Sequence, residues 1–262
     1  MQRTVSAELA LRVDGPAQLA FIVAVSHRPA REHLELRRNG ALLQPRELTD
    51  ASGNRIHVVD VDPGPLTLSY SATVAGRADA PAVTEVELLE YLRPSRYCEA
   101  DHLAPTARAE FGGLEGAQLL AAVSSWVGTR LSYVPGSSLP TDGAVRTLLA
   151  GQGVCRDYAH LVIGLLRALD VPARLAAVYA PGLDPMDFHA VAEAHVDGAW
   201  HVVDATTLAP RSTLVRIATG RDAADTAFLS SYGGNLTLEA IEVSAVADVL
   251  PDDDVTRLVQ LR

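Results

Sequence analysis

The chain contains no lysine. Its 22 basic side chains are all arginine, set against 32 acidic ones, for a formal net charge of −10 at pH 7. An acidic surplus argues against a nucleic-acid or anionic-membrane partner, since both reward clustered positive charge. It favours a cationic substrate, though weakly. Cysteine is nearly as scarce. The two present, Cys98 and Cys155, make no disulfide framework, and their spacing gives no metal pattern. Cys98 lies in the polar stretch SRYCEADH and reads as a free thiol. Long apolar runs are missing too: nothing approaches the ~18 residues of a spanning helix, and MQRTVSAELALRVDG lacks the core of a secretory signal. The expected compartment is the cytoplasm. There is no internal repeat, no phosphate-cradling glycine loop, no calcium-loop spacing and no low-complexity tract. What remains is ordinary globular material, 48% hydrophobic and 21% charged. Its length suits one large domain or two modest ones.

One stretch organises the rest. In GQGVCRDYAHLVIGLLRALD, residues 151–170, apolar side chains from Tyr158 to Leu169 wrap most of a helix, which is therefore expected to be buried. Val171-Pro172 ends it. Gly151 and Gly153 break the preceding element, so Cys155 falls in the first helical turn. Free amides and the positive end of the helix dipole favour a thiolate there, and the same amides suit a developing oxyanion. The alternative is a small buried hydrophobe, which cysteine often is.

A nucleophile needs a base, and the base an orienting acid. Downstream, DFHAVAEAHVDGAWHVVDATT (187–207) reads as two strands about Asp197-Gly198, a two-residue signal for a type I′ hairpin. In that register Val196 faces Ala199, His195 faces Trp200 and Glu193 faces Val202. His189 and Asp204 then share a face as diagonal neighbours, with backbones ~7–8 Å apart. His195 lies too near the turn to meet Asp204, and His201 points to the other face. His160 sits about 140° round the helix from Cys155. Pairing geometry thus selects His189 with Asp204. Glu193 is assigned a structural hydrogen bond.

With Cys, His and Asp in this order, the chain resembles the bacterial transglutaminase-like family of papain-type cysteine enzymes. The matching segments are 153–160 (GVCRDYAH), His189-Ala190 with Glu193, Trp200 through Asp204, YVPGSS (133–138) and LRPSRY (92–97). The resemblance covers roughly 83–234. It implies an α+β papain-like catalytic domain and a Cys155–His189–Asp204 triad acting on amide bonds of a peptide or protein through a thioacyl-enzyme. It calls for no metal or organic cofactor. Tyr133, in the loop region near the nucleophile, is a candidate for lining the cleft. Two departures stand out: Val191 replaces a common aromatic two residues after the histidine, and Ala205 replaces a proline after Asp204. Hydrolysis is the expected outcome. The alternatives are transfer to an amine, a non-catalytic binding module, and acyl transfer from a thioester donor to an aromatic amine. With no lysine, the chain cannot serve as its own side-chain amine acceptor.

Residues 3 to about 90 read as strands, with Asn39-Gly40 as another tight turn. They imply a small antiparallel β-sandwich over 1–78, joined through the linker 76–82 (GRADAPA) to a catalytic domain over 79–262. Within that domain the sequence predicts a strand at 84–89, an irregular stretch at 93–105, helices at 114–129 and 144–150, and a strand at 173–179. Beyond Asp204 it predicts a short helix around 223–230 and a strand at 236–246 in the same sheet as His189. Asp252-Asp253-Asp254 reads as a solvated turn. His27, His33 and His57 read as structural or exposed, and Trp126 as core.

Overall fold

Strict alternation shapes the first strand, β1 (Gln2–Val13): Val5, Ala7, Leu9, Leu11 and Val13 are buried, while residues between them face outward. The structure, a computed structural model, describes residues 1–78 and 82–261. After β1 come β2 (Ala17–Phe21), β3 (Arg31–Arg38), β4 (Ala41–Leu43), β5 (Arg46–Thr49), β6 (Arg55–Val61) and β7 (Gly64–Ala75). Asn39 and Gly40, with φ of 50° and 80°, turn β3 into β4 as the sequence predicts. Helices α1 (Glu85–Glu90), α2 (Ala100–Phe111) and α3 (Gly116–Arg130) follow, then β8 (Ser132–Tyr133), α4 (Ala144–Ala150), β9 (Gln152–Gly153) and α5 (Cys155–Arg167). The chain continues through β10 (Ala173–Tyr179), β11 (Phe188–Val196), β12 (Ala199–Val203), β13 (Val215–Gly220), α6 (Ala223–Thr226), β14 (Leu229–Tyr232) and β15 (Leu236–Ala247).

Two sheets, ordered β15-β1-β7-β3-β4 and β14-β2-β6-β5, form the sandwich; a third, β12-β11-β10-β13, carries His189. All three are antiparallel. Helix α5 packs on the third sheet and is itself packed against α2, α3 and α4. The result is a mixed α+β architecture, as expected, in which β14 and β15 from the far end of the chain complete the sandwich begun by β1–β7. Residues 79–81 of the linker 76–82, where the expected division after residue 78 falls, lie outside the described residues.

Several expectations are corrected. The strand at 236–246 pairs with β1 in the sandwich, not with the His189 sheet; alternation fixes which way side chains face but not which strand is the neighbour. In place of the strand expected at 84–89 the chain forms α1, which the Thr84 hydroxyl caps by accepting the Glu87 N–H at 3.2 Å. The stretch read as irregular becomes helical from Ala100, and Pro105 in its second turn removes only one helical bond. Between 211 and 234 the short helix is α6, but β13 and β14 flank it. The acidic run is exposed, as expected, but it is tied down. Asp253 accepts from the Arg211 backbone N–H at 3.0 Å and from its Nε at 2.9 Å. That clamp holds residues 253–261 as a strap, whose Val259 carbonyl accepts the Val202 N–H and whose Leu261 is buried.

The sandwich core continues into the third sheet through Tyr179, Val215, Ile217 and Ala218. Tyr179 is fully buried, donates its hydroxyl to the Val23 carbonyl at 2.9 Å and stacks on Tyr70. Burying such a ring contributes about 2–3 kcal/mol, so β10 is fixed by the sandwich on one side and α5 on the other. No described helix is long and apolar enough to cross a membrane.

Candidate active site

Cys155 is placed by the way the chain reaches it. Gly151 closes α4 in the left-handed region, with φ of 65°. Gly153 then passes so close to Asp157 that a Cβ there would lie 2.7 Å from the Asp157 Cβ. Between them, β9 runs parallel to β8, setting Tyr133 opposite Gly153. Asp157, almost fully buried, accepts the Val154 N–H at 2.8 Å and the Ser138 hydroxyl at 2.9 Å. Arg156 in turn donates to Ser138 and to the Leu139 carbonyl. The first turn of α5 is thereby tied to the loop 135–143, and Cys155 is left half-buried at its first position with a free thiol. Cys98, by contrast, is sealed in the core, where burial pushes its thiol well up.

The hairpin carries the other two groups. Asp197 and Gly198, with φ of 52° and 78°, make the turn, and Val196–Ala199, His195–Trp200 and Glu193–Val202 pair in the expected register. The ladder ends at Val203, yet the side chains just beyond it still meet diagonally. His189 Nε2 lies 2.9 Å from Asp204 Oδ2, both residues being buried. Asp204 Oδ1 accepts the Thr206 N–H at 2.9 Å and its hydroxyl at 2.7 Å, so the carboxylate is fully held.

With Nε2 used, Nδ1 is the ring nitrogen left for Cys155, whose side chain acts on the ring. No bond of normal geometry closes, and Nδ1 has no partner among the described residues. Long contacts of this kind are common before substrate binds. Burial works against charge on His189, but Asp204 and Cys155 outweigh it and push its pKa up to about 10. Burial opposes ionisation of Asp204 as well; His189 and Thr206 overcome it and lower that pKa. The Tyr133 hydroxyl lies against the backbone and side chain of Cys155. Burial and the neighbouring Cys155 and Asp187 charges push its pKa up to about 12.

The remaining histidines are elsewhere. His160 Nε2 accepts the Ala223 N–H at 3.1 Å and its ring stacks on Tyr97, with burial holding its pKa down at about 3. His195 packs edge-on to Trp200. Trp126 packs on Phe111 and donates to Glu110 at 3.0 Å. Glu193 is fully buried between Arg174, at 2.9 Å, and Arg216, at 2.7 Å, a stronger structural role than a single hydrogen bond. Val191 and Ala205, the two departures, are packed in the core.

Sequence reasoning missed Asp157, Ser138 and Thr206, which hold the site in place. Asp157 stands three residues after the residue that caps α5, and Thr206 stands two after Asp204. Both spacings are local signals of a side chain bonding nearby backbone.

A family model of the transglutaminase-like superfamily matches residues 107–205, a span that includes Cys155, His189 and Asp204. The solved structure of a candidate cysteine protease from Cytophaga hutchinsonii is 33% identical, covers 97% of this chain and 92% of that one, and superposes with a TM-score of 0.84. An uncharacterized protein of Mycobacterium leprae is 25% identical over 191 residues, 64% of this chain and 68% of that protein. A papain-like cysteine-enzyme fold and a family model spanning all three residues agree, and the chain belongs to the transglutaminase-like superfamily.

Proposed function

We propose that the protein is a cysteine-dependent hydrolase of amide bonds in a peptide or protein, working through Cys155, His189 and Asp204. The observation that carries this reading is the division of labour on one ring: Nε2 is anchored on Asp204 at 2.9 Å, while Nδ1 is buried and unpaired on a ring whose pKa Cys155 helps to raise. In the reactive pair the proton sits on His189 Nδ1 and Cys155 is a thiolate. The thiolate attacks the amide carbonyl carbon, and the C=O electron pair moves onto oxygen. The Cys155 backbone N–H, with the Tyr133 hydroxyl beside it, supports that oxyanion. The C–N bond then breaks, the departing nitrogen takes the Nδ1 proton, and a thioester remains on Cys155. Water next gives a proton back to Nδ1 as its oxygen attacks the thioester, releasing a carboxylic acid and restoring the thiolate.

Two features favour water over an amine as acceptor. Cys155 is half-buried rather than sealed, and Tyr133 beside it is 41% exposed, so the cleft is open to solvent. The test is mass spectrometry of Cys155 after brief incubation with a peptide mixture in 18O-labelled water. An acyl group on Cys155, and label in the new carboxylates, is the expected result, abolished by Cys155→Ala. Products joined to an added amine would replace hydrolysis with transfer. No acylation, with alkylation of Cys155 no faster than of buried Cys98, would leave a binding module.

A further inference from the structure

Asp187 bears a charge that these steps do not use. It stands one residue before β11, and side chains two apart on an extended segment project to the same side. Asp187 and His189 therefore share a side. Phe188 turns the other way, into contact with Tyr179 and Phe228. The Asp187 carboxylate accepts the Phe188 N–H at 2.7 Å, which fixes it at the foot of the strand. From there its charge acts on both His189 and the Tyr133 hydroxyl, the two groups that flank Cys155. The residue is exposed on the side of the strand that carries His189, while its carboxyl is partly covered, and that burial raises its pKa.

Three other acids near the site are occupied. Asp157 is held by Val154 and Ser138, Asp204 by His189 and Thr206, and Glu193 by two arginines. Asp187 forms an ion pair with no arginine among the described residues. An open carboxylate beside a nucleophile attracts cations to it. Its place on the strand of His189 also gives it a side. His189 hands its proton to the departing amine, so the rim next to His189 is where the amine fragment lies. Tyr133, 41% exposed, offers apolar surface for the methylene stem of a long basic side chain.

We propose that Asp187 selects substrates whose amine-side fragment carries a positive charge next to the scissile bond, as an arginine, lysine or diamino-acid side chain would. This rests on the acyl-transfer reading above, and the test separates the two. Cys155 in the full chain is modified with methanethiosulfonates bearing a cationic, neutral or anionic tail. In each case the thiolate forms a disulfide and a sulfinate leaves. The wild type is expected to react faster with the cationic than the anionic reagent, and Asp187→Asn, which keeps an acceptor for Phe188, to lower that ratio about tenfold at low salt. An unchanged ratio, or an equal change with all three reagents, overturns the selectivity proposal and leaves Asp187 acting through His189. The neutral reagent with His189→Ala reports separately on the acyl-transfer reading, which fails if the rate does not drop. Cleavage of a peptide library is the second measurement. Arginine or lysine enriched just after the cleaved bond, and lost in Asp187→Asn, is expected; enrichment on the acyl side, or none, overturns the proposal.

Discussion

Asp157 Oδ2 accepts the Val154 N–H at 2.8 Å, and that bond holds the turn carrying Cys155 from the inside. The same carboxylate takes the Ser138 hydroxyl. Asp157→Ala strands both donors, one on the backbone. It is expected to cost about 1–3 kcal/mol of stability and to slow alkylation of Cys155 as well. Asp157→Asn keeps one acceptor oxygen and should recover part of each. Urea midpoints and alkylation rates on the three proteins check this; a loss of stability with Cys155 as reactive as before would make Asp157 structural only.

His189 gives a pH dependence with a definite sign. Its folded pKa, about 10, lies above the ordinary ~6.5 of histidine. The stabilisation from the charged ring on Asp204 is therefore full below pH ~6.5 and lost as pH rises through about 10. Asp204, with its pKa lowered, contributes only above the ordinary ~3.9 in full and loses its share as pH falls through its folded value. His189→Gln should thus cost most near pH 6 and progressively less toward pH 10, read from urea unfolding at several pH values. A cost that grows with pH would contradict the assignment. For activity, the alkaline limb should sit near pH 10. Asp204→Asn should pull it down by about a unit or more, because the charge that raises His189 is gone.

Much of this arrangement is legible in the sequence, for identifiable reasons. The all-round apolar character of residues 158–169 forces burial, and Gly151 and Gly153 leave Cys155 at the mouth of the helix. Asp197-Gly198 pins the hairpin register, and register alone separates His189 from His195. Illegible parts depend on partners distant in the chain. β15 alternates like a strand of any sheet, and only the core of β1 decides where it docks. Asp253 looks like a solvated acid until Arg211, forty-two residues earlier, is seen to need it. Asp187 falls in a loop with two prolines and a glycine, where composition says nothing about which way a carboxylate faces.

Glu193 tests how firmly the sheet under the site is held. It is fully buried, and though burial opposes its charge, Arg216 and Arg174 outweigh that and bring its pKa down to about 2. Arg174 also pairs with Glu87 and covers the Trp200 ring at 4.0 Å. Removing the carboxylate charge leaves two guanidinium groups facing one another, so Glu193→Gln should destabilise by about 3–5 kcal/mol near neutral pH. Because the folded pKa is depressed, this stabilisation is present above pH ~4.3 and lost as pH falls through about 2. The gap between variant and wild type should therefore narrow in acid. Calorimetry at pH 7 and pH 3 reads it directly, and an equal gap at both would deny the ion pairs their role.

Tyr133 separates transition-state support from simple binding. Its ring packs against Tyr158, with centroids 6.0 Å apart, and Tyr158 is in turn tied by its hydroxyl to the Leu131 carbonyl at 2.7 Å. Tyr133→Phe keeps that packing, so stability should stay within about 0.5 kcal/mol. What it removes is the hydroxyl lying against the Cys155 backbone, where the proposed mechanism places the oxyanion. A donor used only as charge develops on that oxygen is felt in kcat and not in KM, and kcat is expected to fall roughly 10- to 100-fold with KM nearly unchanged. Steady-state kinetics on a cleaved peptide distinguishes the roles. A raised KM at constant kcat would make Tyr133 a wall of the cleft and leave the second oxyanion donor to another group.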